Sequence, residues 1–369
     1  MTPKYDSEES QGTERIRRAH SDRKRKKQML HRERYSATTP TSPSKGGAFE
    51  EISKVGIAAK ILRTEGASFI AETKLGEEQR VRSIKSTVTS NPNSTLVAVG
   101  DDVIIEPGDA DIGVIREVKP RRTKLSRRAH TRRTSFEQII AANIDLVAIV
   151  TSAADPPFRT GIIDKYIVAA LEGGLEILII LNKSDELEQN DRAAFIEYAL
   201  EYYQVIGYPH LVTAATNNVG IAELRDAIAN KTIVFAGKSG VGKSSLVNAL
   251  VGEEITRTQG LMRHAKRGMH TTTNAWMIPL ADHTYIVDTP GVKEFFHFEL
   301  EPDQIRFLFT EFDHLRDKCQ MTNCLHIHEP GCAVIEAVEE ELIPEWRYNS
   351  YLAFWEEAER ERKSRIGGM

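Results

Sequence analysis

Apolar and polar positions alternate in three different ways along this chain. From residue 54 to about 118 the apolar residues come in short β-rich runs, "VGIAAKILR", "ASFIAETK", "QRVRSIKS", "TLVAVGDDVIIEPG" and "IGVIREV". Gly and Asn-Pro-Asn punctuate them, which predicts roughly five short strands and a small barrel. An OB-fold fits, and periodicity alone does not separate it from an SH3-like barrel. From about 137 the texture changes. Strand-length apolar runs ("DLVAIVTSA", "EILIILN", "HLVTAAT", "TIVFA", "TYIVD") alternate with helical patterns ("GIIDKYIVAALEGG", "DRAAFIEYALEYYQVIG", "GIAELRDAIAN", "GKSSLVNALVG"). Continuous apolar strands between helices predict a parallel α/β sheet. From about 301 the pattern is helical again around a cysteine-rich segment.

The expected organisation is therefore multidomain α/β. A basic arm spans 1–48, rich in Lys, Arg, Ser, Thr and Pro with little to bury. The barrel follows at 49–118, a basic linker at 119–136, the α/β domain at 137–300 and a helical domain at 301–369. No apolar run reaches the ~18 residues of a membrane span, and the charged start lacks a signal peptide's apolar middle. A cytoplasmic protein, most simply a monomer and not membrane-bound, is expected.

Charge changes this picture in one respect. The net charge is −4, yet residues 1–47 carry +6 and residues 116–133 carry +8, leaving −18 for the remainder. Two basic segments on an acidic protein point to a polyanion such as nucleic acid, against the plainer reading of solvated tails.

The candidate chemistry begins at Gly237-Lys238-Ser239-Gly240-Val241-Gly242-Lys243-Ser244, which matches G-x4-G-K-[ST]. It follows a predicted strand and opens a predicted helix. The glycines let backbone N–H groups curl around phosphate oxygens, and the helix N-terminus adds its positive end. Lys243 would reach the β- and γ-phosphates, the Ser244 hydroxyl would bind Mg²⁺, and Ser245 completes the phosphate-contacting run. "DTPG" ends a later strand: Asp288 can hold Mg²⁺ through water, and the Gly291 N–H can sense a γ-phosphate.

"LNKSDE" supplies a base reader. The Asp185 carboxylate can accept the N1–H and N2–H₂ donors of guanine, whereas adenine would leave it unpaired. Asn182 can bond the base edge and its own loop, Lys183 can lie along base and ribose, and Ser184 completes the loop. Thr213, Ala214 and Ala215 in "VTAAT" end another strand, where backbone N–H groups could meet guanine O6. The order along the chain is NKSD, VTAAT, phosphate loop, DTPG. An ordinary GTPase begins with the phosphate loop, so this order is a circular permutation. A sheet tolerates that, because strands need neighbours rather than a given chain order. In this order the segment after DTPG leads into the C-terminal domain, so nucleotide state is expected to be transmitted mainly there.

The three cysteines all lie in "CQMTNCLHIHEPGC", giving Cys319-x4-Cys324-x-His326-x5-Cys332. Three thiolates and an imidazole suit structural zinc, with His328 a rival nitrogen ligand.

Together these residues resemble the ribosome small subunit-dependent GTPase A (RsgA) family of circularly permuted GTPases, from about Lys54 to the end. The segments that carry the resemblance are the barrel, "AANIDLVAIV", "LNKSD", "FAGKSGVGKSSLVNAL", "HTTT", "DTPGVKEF" and "HEPGCAV". The resemblance implies an N-terminal OB-fold, a central permuted P-loop GTPase domain and a C-terminal zinc domain. It also implies GTP hydrolysis stimulated by the small (30S) ribosomal subunit, with a role in late maturation and contacts to its rRNA. The zinc pattern falls on Cys319, Cys324, His326 and Cys332. "GMHTTT" aligns with the first switch: His270 corresponds to the proposed water-orienting residue and Thr272 to the Mg²⁺/γ-phosphate threonine, with Thr271 and Thr273 as neighbours that could replace it. Val292 stands where many GTPases place a water-orienting Gln, so slow intrinsic turnover is expected. Two other readings compete: a permuted GTPase of the large subunit, and an RNA-binding module in which GTP is a structural ligand.

Overall fold

A computed structural model describes residues 56–89, 94–106, 112–130, 135–188, 191–257, 276–280, 283–288 and 301–367. The arm 1–48 and the site positions His270, Thr271, Thr272, Thr273, Gly291 and Val292 lie outside the described residues.

The barrel is built from β1 (Ile57–Glu65), β2 (Ser68–Thr73), β3 (Glu78–Val88), β4 (Asp102–Glu106) and β5 (Gly113–Val118). Its strands run in the order β1-β2-β3-β5-β4, and β4 returns to pair with β1, closing the ring. All pairings are antiparallel except β3 with β5. This Greek-key closure is that of an OB-fold, and it decides the choice that strand periodicity left open. Alternate side chains, Ala59, Ile61, Ala71, Val81, Val103, Ile105 and Ile115, fill the interior.

The basic segment that follows is more structured than its composition predicts. β6 (Lys124–His130) and β7 (Ser135–Ala142) form an antiparallel hairpin. Its alternation is hidden by charge in "KLSRRAH", and burial of Leu125, Ile139, Ala141 and Ala142 secures it from the other side.

The α/β domain contains β8 (Leu146–Ser152), α1 (Thr160–Glu172), β9 (Glu176–Asn182), α2 (Ala193–Val205), β10 (His210–Val212), α3 (Ile221–Ile228), β11 (Thr232–Ala236), α4 (Lys243–Arg257), β12 (Trp276–Pro279) and β13 (Tyr285–Asp288). The strand order is β10-β9-β8-β11-β13-β12, parallel except for β12. Strict alternation sends Val147, Ile149, Ile179 and Leu181 to the α1/α2 face, where Ile163, Ile167, Ile196 and Leu200 meet them. Ala148, Val150, Leu178, Ile180, Ile233 and Phe235 face the other way, onto Ile221, Leu224, Ile228, Leu246 and Leu250 of α3 and α4. Helices on both faces explain why these strands read as unbroken apolar runs.

The C-terminal module holds α5 (Pro302–Ile305), α6 (Ala333–Glu339) and α7 (Glu345–Gly367) around a core of Phe309, Phe312, Val334, Ile343 and Tyr351. It is seated on the α/β domain by a buried ionic cluster. The Arg347 guanidinium of α7 donates to the Asp164 carboxylate of α1 at 2.5 Å and to Glu311 at 2.6 Å, and the Tyr203 hydroxyl of α2 donates to Asp164 at 2.6 Å. Burial alone would lower the Arg347 guanidinium. The Asp164 and Glu311 carboxylates outweigh it and hold the group well above its ordinary value. Among the described residues no helix is long and apolar enough to cross a membrane.

Candidate nucleotide site and metal cluster

The carboxyl ends of β8, β9, β10, β11 and β13 open on one edge of the sheet, the edge where open α/β sheets bind ligands. The segment Gly237–Gly242 links β11 to the start of α4 at Lys243. It can coil tightly because Gly237, Gly240 and Gly242 have φ of 144°, 90° and 93°. Two of these glycines are also fixed by space. A Cβ on Gly237 would stand 2.3 Å from the Val150 carbonyl of β8, and one on Gly242 2.2 Å from the Asn182 amide. The Lys243 ammonium lies over the loop, donating to the carbonyls of Gly237 and Lys238 at 2.8 Å each. Lys238, Ser239, Gly240, Ser244 and Ser245 are exposed, and Val241 is buried as the loop's apolar anchor. Such a loop, with a helix N-terminus behind it, can bind phosphate oxygens.

Asn182 joins this loop to the base-reading segments. Its side chain is 2 % exposed. The amide Nδ2 donates to the Val241 carbonyl at 2.9 Å. Its Oδ1 accepts from the Thr213 hydroxyl at 3.1 Å and from the Ala215 N–H at 3.2 Å. One side chain thus ties the NKSD, VTAAT and phosphate-loop segments together, although they are far apart in the chain. Nδ2 and Oδ1 both engage the loops, which is the loop-bonding half of the role expected of Asn182. Lys183 has φ of 60°, a left-handed conformation that turns the chain sharply after β9, and its ammonium donates to the Asp155 carbonyl of the β8–α1 loop. Asp185 is exposed at the mouth and accepts from the Asn217 amide at 3.5 Å, with Ser184 held by the Thr213 carbonyl through its N–H at 3.0 Å. Ala214 is buried beneath. The engagement of Asp155, Asn217 and Val241 had no signal in the sequence, because two of the three act through backbone carbonyls.

β13 runs parallel to β11 in register, Val234 opposite Val287, so its last residue, Asp288, ends beside the phosphate loop. His270, Thr272 and Gly291, expected at this edge, lie outside the described residues.

The second site lies in the C-terminal module. One donor atom from each of Cys319, Cys324, His326 and Cys332 falls within 4.8 Å of the others. His326 Nδ1 is 3.6 Å from Cys319 Sγ and 3.4 Å from Cys332 Sγ. Those separations match the ~3.4–3.8 Å edge of a tetrahedron with ~2.1–2.3 Å metal–ligand bonds. Burial pushes the Cys324 thiol up to about 12, with Cys332 beside it adding to the effect, and burial with Arg306 nearby brings His326 down to about 4. A closely packed, buried set of soft donors is what a divalent metal would neutralise. His326 rather than His328 enters the cluster; His328 is exposed. The loop is shaped by a residue the sequence did not flag. Burial raises the Glu329 carboxyl, but N–H donors from Ile327, Leu325 and His328 outweigh it and bring it down to about 2. Gly331, with φ of 65°, completes the turn where a Cβ would strike the Gln320 side chain at 2.2 Å.

Known proteins resemble this arrangement. The profile of the family described as RsgA GTPase matches residues 118–298. A protein of Chlorobaculum parvum called small ribosomal subunit biogenesis GTPase RsgA is 40% identical over 304 residues, covering 80% of this chain and 96% of that protein. Its namesake from Chlorobaculum tepidum is 41% identical over 304 residues, again 80% and 96%. Among solved structures, YjeQ from Thermotoga maritima superposes with a TM-score of 0.67 at 30% identity, covering 82% of this chain and 98% of that one. YloQ, described as a circularly permuted GTPase, gives 0.66 at 25% identity over 85% and 99%.

Proposed function

This chain belongs to the RsgA GTPase family, and from that premise we propose that it hydrolyses GTP to GDP and phosphate while assisting maturation of the small ribosomal subunit. The observation that carries this reading is the junction at Asn182, where a guanine-type motif and a phosphate loop share one buried side chain at one sheet edge.

In this reading Asp185 accepts the two guanine donors, Asn182 lies at the base edge, Lys183 and Ser184 flank the base, and Thr213, Ala214 and Ala215 form the loop beside it. The expected N–H contacts to O6 do not follow, because those three N–H groups donate to the Leu181 and Val219 carbonyls and to Asn182 Oδ1. Gly237 to Ser245 cradle the phosphates, and Lys243 exchanges its carbonyl partners for β- and γ-phosphate oxygens. Ser244, Asp288 and Thr272 would hold magnesium. Hard oxygen donors suit that ion, which when bound neutralises charge on the transferred phosphoryl group. His270 orients the attacking water, Gly291 senses the γ-phosphate, and Val292 leaves unassisted turnover slow. Cys319, Cys324, His326 and Cys332 hold one structural zinc. The domain limits are 49–118, 137–300 and 301–369, and the protein acts in the cytoplasm as a monomer.

The arm 1–48 and the segment 119–136 are proposed to meet rRNA phosphates. Part of that basic charge is already committed. Arg116 pairs with Glu106, Lys119 with Glu117, Arg121 with Asp101 and Arg122 with Asp145. The RNA reading is carried by the charge of the segment as a whole, Arg127, Arg128, Arg132 and Arg133 included, and by the arm.

Steady-state GTP hydrolysis by the full chain, alone and with small or large subunits, tests the proposal. Strong stimulation by small subunits only is expected. GTP binding without stimulation by either would favour the RNA-binding module, and stimulation by large subunits would favour the other assembly role.

A further inference from the structure

The barrel extends the nucleotide-site sheet. β12 pairs antiparallel with β13, placing Trp276 opposite Asp288 and Pro279 opposite Tyr285. On its other side Trp276 lies opposite Arg63 of β1. Asp288, Trp276 and Arg63 thus form one cross-strand row, and two strand spacings of about 4.8 Å carry it from the proposed magnesium carboxylate to the barrel. The start of β13 is pinned as well: the Tyr285 hydroxyl donates to the Glu72 carboxylate of β2 at 2.7 Å. Between these contacts the β1–β2 register shifts from Ile61 to Arg63. Ile61 faces the barrel core, while Leu62 packs into the cluster that holds Met277 and Val287. A bulge re-aims a side chain in this way, here out of one core and into the next.

The C-terminal module is seated elsewhere. Among the described residues its polar contacts with the α/β domain include Asp164 and Lys165 of α1, the latter paired with Glu357, and Tyr208, whose hydroxyl lies 3.1 Å from that of Thr310. All three belong to the half of the domain that carries the base-reading loops. β12 and β13 instead connect the segment 258–275, which holds "HTTT", to the segment that begins at DTPG.

We propose that the β1–β12 seam carries the state of the nucleotide to the barrel, so that GTP and GDP forms present the barrel differently to RNA. The proposal rests on the GTPase reading and deepens it. Paired strands do not slide by fractions of a residue, so a displacement at the end of β13 is passed through Trp276 to β1, and Leu62 shares it between the two cores. This places the main route at the barrel, against the expectation from chain order that the C-terminal domain receives it.

Hydrogen exchange on the full chain, saturated with GDP or with a non-hydrolysable GTP analogue, tests this without a ribosome. Amides of 57–73 should differ by at least about fivefold between the two states, the lower end of ordinary coupling between sites. Tyr285→Phe and Leu62→Ala should each remove most of that difference while leaving nucleotide affinity unchanged. Tyr285→Phe alone decides if Leu62→Ala does not fold. No difference at 57–73 with both nucleotides bound, or a difference undiminished by Tyr285→Phe, overturns the proposal and leaves the GTPase reading standing. Failure of the wild type to bind either nucleotide sinks both.

Discussion

Asn182 concentrates more of the site than any residue that would touch the ligand. Replacing it with Ala strands the Val241 carbonyl, the Thr213 hydroxyl and the Ala215 N–H in a buried place. The expected cost is about 2–4 kcal/mol of stability together with weakened GTP binding, read by urea denaturation and nucleotide titration. Asp185 should behave differently, since it is exposed at the mouth. Asp185→Asn should leave stability nearly unchanged but lower GTP affinity by about a hundredfold or more, while favouring xanthosine triphosphate, whose O2 can accept from the new amide. Equal affinity for the two nucleotides in the variant would remove Asp185 from the base-reading role. At this scale the sequence offered candidates where chemistry demands a residue type, as at Asp185 and Lys243, and the fold brings both to one sheet edge. Residue type alone did not choose between two histidines, and it was the family resemblance that favoured His326. His326 and His328 differ by two positions and offer the same donor, and only the fold buries one and exposes the other.

Apart from the long α7, the elements of the C-terminal module are short, and its core is small enough that the metal loop and the Arg347 cluster matter to its order. Chelation of the metal should expose 301–367 to proteolysis while the α/β domain stays folded. His326→Ala should lose the metal and His328→Ala should keep it, measured as bound zinc per chain. The cluster predicts a second effect. Arg347→Met leaves Asp164 and Glu311 buried without their partner, at a cost of about 3–5 kcal/mol, whereas a surface pair such as Lys165–Glu357 should contribute almost nothing. Denaturant midpoints of the two variants make the comparison. Helices α1, α2 and α4 were legible because their apolar positions repeat at helical spacing. The hairpin of β6 and β7 was not, because its stabilising partners are contributed by distant residues such as Val99, which bridges to Ala141.

For the whole molecule, the division of basic charge decides which arginines can serve a polyanion. Arg121 donates to Asp101 and to the carbonyls of Thr95 and Leu96 inside the barrel. Arg121→Ala should therefore lower the melting temperature of the barrel. Replacing Arg127 and Arg128 together should weaken small-subunit binding and lower the slope of log affinity against log salt by about two. A slope unchanged by that pair would take β6 out of the interface. The order of the domains was legible from motif order and texture, but their mutual seating was not, since the β1–β12 pairing joins barrel to sheet and the buried Arg347 cluster seats the C-terminal module. That pairing also has a temporal meaning. Every strand of the barrel lies within 57–118, so the barrel can fold as soon as that stretch leaves the ribosome that makes it. The β12 partner of Arg63, Trp276, is synthesised more than two hundred residues after Arg63 itself, and β11 must still enter between β8 and β13. The nascent protein therefore holds a finished barrel well before it owns a place to bind nucleotide, and the pairing that joins the two waits until β12 has been made.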